Sequence, residues 1–230
     1  MKNICLEYAK RIGNEVGWLT QLIERGNKDM MTSANPIYFH EMFSLNTQAV
    51  WALYKMQIVY LVNLFDSFMQ DYIGDRDNLT ESEMNAKDFW KNYLKAHISS
   101  WEAYYKIKNA PINNSISFMN IRFSLFVLKE RYNINYPSYL SPAILELGSL
   151  RNCLVHYDGD LMRTDKGGHP FRETLNETLI ILQIDKKGNR LMNLNINDLI
   201  NKVTFDLQIF VDLCGGLIRK PEEHRREFNK

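Results

Sequence analysis

Apolar residues recur along most of this chain at steps of three and four, the repeat of a helix that buries one face. Tyr54, Ile58, Leu61, Phe65, Phe68 and Tyr72 form one such stripe and predict a helix over about 40–73, ended by Gly74 and the charged stretch from Asp75 to Glu83. Residues 4–25 read as an amphipathic helix, followed by Gly26, Asn35 and Pro36 as breakers. Further helices are predicted over 85–107, with Phe89, Trp90, Tyr93 and Trp101, and from about Ile116 to Tyr132. Another is predicted over 141–156, where Ser141 offers an N-cap and Pro142 stands at the first helical position. Ile200, Val203, Leu207, Phe210, Cys214 and Leu217 predict the last.

One region breaks this rhythm. Leu179–Ile184 is apolar and rich in β-branched residues, Lys187-Gly188-Asn189 reads as a turn, and Leu191–Ile196 alternates. That pattern predicts a β-hairpin over 178–196. Long amphipathic helices with short connections predict an all-α fold, an antiparallel helical bundle with the hairpin as a small insertion. The expected organisation is an N-terminal helix and connection (1–36), the bundle (37–218) and a charged C-terminal tail (219–230).

Composition changes this picture in two ways. An apolar fraction of 45% supports a packed core. Lys and Arg total 28 against 27 Asp and Glu, which argues against a broad nucleic-acid-binding face, so any RNA contact must come from a local patch. The N-terminus is charged, without a signal-peptide core, and no run of about 18 apolar residues predicts a membrane span. Cys5, Cys153 and Cys214 are odd in number and far apart, which fits a reducing, cytoplasmic setting. His40, His97, His169 and His224 lack metal-ligand spacing, and Asp158-Gly159-Asp160 reads as a turn, so neither metal nor cofactor is expected.

Candidate chemistry is concentrated in Arg151-Asn152-Cys153-Leu154-Val155-His156. A guanidinium can clamp a phosphate with two parallel charge-assisted hydrogen bonds, and an imidazole can move a proton near neutral pH. Arginine followed by histidine at this spacing recurs at Arg163/His169, in a glycine-rich turn, and at Arg219/His224, in the polar tail. Only Arg151 and His156 lie on a predicted buried helix. Ile144, Leu147, Arg151 and Leu154 share a stripe, so Arg151 stands in an apolar phase and needs an anion or an interface. Two readings follow from the residues. In one, Arg151 pairs with Glu146 or Asp66, and His156 is a helix-end histidine favoured by the partial negative charge there. In the other, Arg151 and His156 act on a phosphate. Five residues separate them, about 140° around a helix, which predicts difficulty in aiming both at one phosphate from one helix.

The string LGSLRNCLVHYDG resembles the motif of the HEPN superfamily, helical bundles whose signature is an Arg, four to six residues and a His, often with a polar residue after the Arg. Asn152 fills that polar slot. The resemblance implies a metal-independent endoribonuclease, a toxin or anti-phage defence effector, with RNA as substrate. It also implies a homodimer in which two motif copies line one cleft, and an antitoxin or defence-system partner protein. By the same resemblance Arg151 stabilises phosphoryl charge, His156 moves the proton, Asn152 orients the histidine or the phosphate, and an acid on the long helix, Asp66, positions Arg151. HEPN toxins paired with nucleotidyltransferase antitoxins carry a tyrosine two residues after the histidine. Here Tyr157 follows His156 directly and Asp158 takes the next slot, closer to defence-associated types whose motif runs into an acidic-glycine turn. The competing expectation is a non-catalytic HEPN module that dimerises and binds nucleotide, RNA or protein.

Overall fold

A computed structural model describes residues 2–31, 36–105, 118, 120–136, 140–165, 168–181 and 196–216. Its elements in chain order are α1 (Lys2–Met31), α2 (Pro36–Arg76), α3 (Glu81–Met84), α4 (Phe89–Ala96), α5 (Ile98–Tyr105) and α6 (Ile121–Tyr132). There follow a 3₁₀ turn (Pro142–Glu146), α7 (Leu147–Tyr157), α8 (Phe171–Thr174), α9 (Asn176–Ile181) and α10 (Ile196–Cys214). The described residues are mostly helical and contain no sheet; an isolated bridge pairs Thr164 with Pro170.

The spine is α2, which at about 1.5 Å per residue runs roughly 60 Å. Every member of its apolar stripe, from Tyr54 to Tyr72, is buried. Against it lies α1, which buries Cys5, Tyr8, Ala9, Ile12 and Val16 in the same core. Tyr8 Oη donates to Asp71 Oδ2 at 2.6 Å while Gln57 Nε2 donates to Thr20 Oγ1 at 3.2 Å, so the two helices run antiparallel. Phe65 meets Phe210, with ring centroids 6.2 Å apart, and Tyr72 Oη donates to the Cys214 carbonyl at 3.2 Å, which sets α10 parallel to α2. Ile200, Val203, Leu207, Phe210 and Cys214 are buried as their spacing predicts; Leu217 lies outside the described residues.

Gly74 does not end α2, which runs on to Arg76. A Cβ there would stand 2.3 Å from Met84 Sδ, so α3 folds back over the bare glycine backbone. A capping box starts α3: Thr80 Oγ1 accepts from Glu83 N–H at 3.2 Å, and Glu83 Oε2 accepts from Thr80 N–H at 2.7 Å. The single helix predicted over 85–107 is two. It breaks at His97, whose N–H bonds the carbonyl of Leu94 three residues back and whose Nδ1 lies 3.1 Å from Glu130 Oε2 on α6.

The hairpin expected over 178–196 is corrected at its first strand. Asn176–Ile181 is helix α9, because Glu146 supplies the acceptors that its first N–H groups need. A capped helix start overrides the β-branched preference of this run. Residues 182–195, the rest of that hairpin, lie outside the described residues, as does the tail from 217. No helix among the described residues is long and apolar enough to cross a membrane.

Candidate functional site

The motif helix is fixed at both ends before its polar residues are considered. At its start Ser141 caps the 3₁₀ turn, accepting from Ala143 N–H at 3.4 Å, as its position before Pro142 predicts. The Ser141 N–H donates to buried Asp206 Oδ2 of α10 at 2.8 Å, and Tyr136 Oη donates to the Ser141 carbonyl at 2.8 Å. Leu147, Leu150, Cys153 and Leu154 then bury one face of α7 in the core. At its end Asp158 turns the chain in the left-handed region, φ 50°, followed by Gly159 at φ 77°. Gly159 N–H donates back to the Cys153 carbonyl at 3.0 Å, as does the Asp158 N–H, tying the left-handed turn to the end of the helix.

Between these anchors Arg151 Nη1 donates to Asn152 Oδ1 at 2.9 Å and meets His156 Nε2 at 3.1 Å. A guanidinium has donors and no acceptor. The His156 nitrogen facing it therefore carries its lone pair, and in this arrangement the ring proton sits on Nδ1. The 140° separation predicted along the helix does not keep the two residues apart, because the long arginine side chain spans the gap. The partial negative charge at the end of α7 favours the cation in that place. The geometric reason for needing a second chain is thereby removed. Arg151 is half-buried, and its Nε has no hydrogen-bond partner among the described residues. Asn152 orients the arginine rather than the histidine.

No protein-family model matches this chain, and no curated protein or solved structure matches it either. The likeness to HEPN proteins thus stands on the sequence motif alone.

The remaining candidate residues fall elsewhere. Glu146 is buried and serves as the acceptor for α9: Oε1 takes Glu177 N–H at 3.1 Å, and Oε2 takes Thr178 N–H at 2.9 Å and Thr178 Oγ1 at 2.8 Å. It is not a counter-ion for Arg151, whose hydrogen bonds go to Asn152 and His156. Asp66 Oδ2 accepts from Gln70 Nε2 at 3.1 Å along α2. Tyr157 is exposed beside His156, ring centroids 6.3 Å apart, and its other neighbour is Phe171 at 5.5 Å.

Asp158 reaches α2. Its Oδ1 accepts from Trp51 Nε1 at 3.3 Å and pairs with the Lys55 ammonium, which lies 5.6 Å from the centre of the Trp51 ring. Asp160 is engaged within its own loop, accepting from Met162 N–H at 3.0 Å and pairing with Arg163 at 3.5 Å. Asp160 thus serves its own loop while Asp158 ties the turn to α2, and the described residues contain no group of three or more His, Cys, Asp or Glu arranged to hold a metal ion. Burial, with the nearby Asp160 carboxylate, pushes the Cys153 thiol up to about 12, so it is a packing residue and not a nucleophile. Lys55 and Trp51 were not legible as site neighbours. Their spacing of four puts them on one face of α2, but nothing in the sequence ties that face to a turn over 100 residues away.

Proposed function

We propose that this protein is a metal-independent endoribonuclease of the HEPN type, acting as a toxin or anti-phage defence effector. The observation that carries the reading is the contact between Arg151 Nη1 and the lone pair of His156 Nε2, with Asn152 steadying the same guanidinium nitrogen. It joins a phosphate clamp to a proton acceptor on one helix end.

The contact also sets an order of events. In the resting state the guanidinium occupies the lone pair that must receive the proton. An RNA phosphate offers Arg151 stronger, charge-assisted acceptors. The Nε is buried without a hydrogen-bond partner among the described residues, so the resting contacts leave the guanidinium incompletely satisfied. As Arg151 turns to the phosphate, His156 Nε2 is freed. The ribose 2′-hydroxyl then gives its proton to Nε2, and its oxygen attacks phosphorus. The bond from phosphorus to the 5′-oxygen breaks, and that oxygen takes a proton from water while Arg151 bears the phosphoryl charge; the His156 imidazolium then returns its proton to the hydroxide so formed. The products are a 2′,3′-cyclic phosphate and a 5′-hydroxyl end. DNA lacks the nucleophile.

Two features around the site bear on partners. Val155, Tyr157 and Met162 are exposed apolar residues close to His156 in the chain, apolar surface that a second copy, an antitoxin or a defence-system partner would cover. The near-zero net charge fits RNA held by a small patch. One observation favours the non-catalytic alternative, a HEPN module that binds nucleotide, RNA or protein: the base is capped by Arg151 as it stands. The deciding experiment incubates purified protein with mixed single-stranded RNA in EDTA. Cyclic-phosphate ends that vanish in His156→Ala support the enzyme. An inert wild type that still retains RNA on a filter supports the binding module.

A further inference from the structure

We infer that Lys55 and Asp158 form a clasp that positions His156. Their ion pair, with the Trp51 indole, holds the last turn of α7 so that the Nε2 lone pair keeps facing Arg151. The inference rests on Arg151 and His156 being the working pair.

Four observations carry it. Asp158 adopts φ 50°, a conformation that glycine takes more readily, and Gly159 stands in the very next position. An acid at this cap therefore does something that glycine does not. What it does is reach α2, where its Oδ1 meets both Trp51 Nε1 and the Lys55 ammonium. One residue separates Asp158 from His156, so the clasp acts on the turn that aims the imidazole. Finally, α2 is a rigid partner: Tyr54 and Ile58, beside Lys55 in the chain, are buried in the core.

A stabilising role alone explains the pair poorly. The Asp158 side chain is 57% exposed, and ion pairs at such positions add little to global stability. Asp160 does not substitute for it, being held by Met162 N–H and Arg163. The clasp thus acts on orientation, and Lys55 and Asp158 are positioning residues rather than groups that touch the reacting atoms.

Asp158→Gly in the full chain tests this, because glycine suits the backbone while removing the carboxylate. Melting temperature is expected to hold or rise. The ¹⁵N spectrum of the His156 ring is expected to move from the Nδ1–H tautomer towards an average of both. Cleavage of single-stranded RNA is expected to lose about 10–100-fold in kcat, the scale of a modest misplacement of a catalytic group. Lys55→Met should do the same, and Lys55→Arg should restore the wild-type tautomer. A folded Asp158→Gly protein with an unchanged tautomer spectrum overturns the clasp. Should Asp158→Gly fail to fold, the Lys55→Met and Lys55→Arg spectra decide in its place. If the wild type cuts no RNA and yet the tautomer shifts in both variants, the clasp stands and the ribonuclease reading falls.

Discussion

Replacing Glu146 with alanine should cost stability and spare the site, and the structure gives the scale. The carboxylate accepts three hydrogen bonds, one from Glu177 N–H and two from Thr178, which is fully buried. Glu177 is less deeply buried, so its N–H can find water once the carboxylate is gone. The two Thr178 donors are left unpaired, at roughly 1–3 kcal/mol each. Part of this returns because a buried charge is no longer held out of water. A net loss of about 2–4 kcal/mol follows, and for a chain of this size that lowers the melting midpoint by about 4–16 °C. Glu146→Gln should sit between the two. Its oxygen in the place of Oε2 keeps both Thr178 bonds, and its amide group faces the Glu177 N–H. The measurement is a denaturant or thermal midpoint for all three proteins, with RNA cleavage assayed well below the lowest midpoint. Cleavage abolished in Glu146→Ala together with a loss under about 0.5 kcal/mol would refute the reasoning. Glu146 would then be serving Arg151 and not α9.

Three further outcomes are expected. Arg151→Lys should abolish cleavage with little change in stability, because an ammonium cannot make the planar fork, and His156→Ala should cost about 10²–10⁴-fold in rate; both are read by primer extension that stops at the new 5′-hydroxyl ends. Cys5, Cys153 and Cys214 are all buried and should resist a thiol reagent at pH 8 in the native protein and react fully in denaturant. Burial pushes Cys5 up to about 11 and Cys153 up to about 12, so both stay protonated in the fold. Below about pH 8.5 the unfolded thiols are protonated too and this contribution is complete; as the pH rises from there through 11 and 12, each thiol removes up to about 1.4 kcal/mol per pH unit, readable as a falling denaturation midpoint.

The helices were legible because their signal is burial, and burial follows the three-and-four spacing directly. The α2 and α10 stripes are buried at each predicted position within the described residues. Ser141 was legible for a similar reason: capping is local chemistry, set by the serine and by Pro142 after it. What failed depended on distant partners. Leu179–Ile181 has the composition of a strand, yet it is helical because Glu146, more than 30 residues earlier, caps it. The same contact removes Glu146 from the Arg151 site. The break at His97 coincides with a contact to Glu130 on α6, and no spacing rule within 85–107 announces it. Arg151, Asn152 and His156 were legible as a set, but the hydrogen bonds that join them were not, since side-chain reach is invisible to a helical wheel.

That reach bears on how the site assembles. A wheel places Arg151 and His156 about 140° apart, and with short side chains the two would serve different surfaces. Arginine is long enough to cross that arc, and the helix C-terminus and the imidazole lone pair both draw its charge to the same end. On the proposed reading one helix therefore holds both clamp and base, with the base covered until an anion competes for the guanidinium. If a second chain is required, its role is something other than supplying the missing half of this pair. It would cover the exposed Val155 and Tyr157, exclude water from the phosphate, or bring the group that protonates the 5′-oxygen. Mixing wild-type and His156→Ala chains separates these. With clamp and base on one chain, mixed dimers retain about half the wild-type rate. If each phosphate needs a histidine from both chains, mixed dimers are inactive, and rate falls as the square of the wild-type fraction.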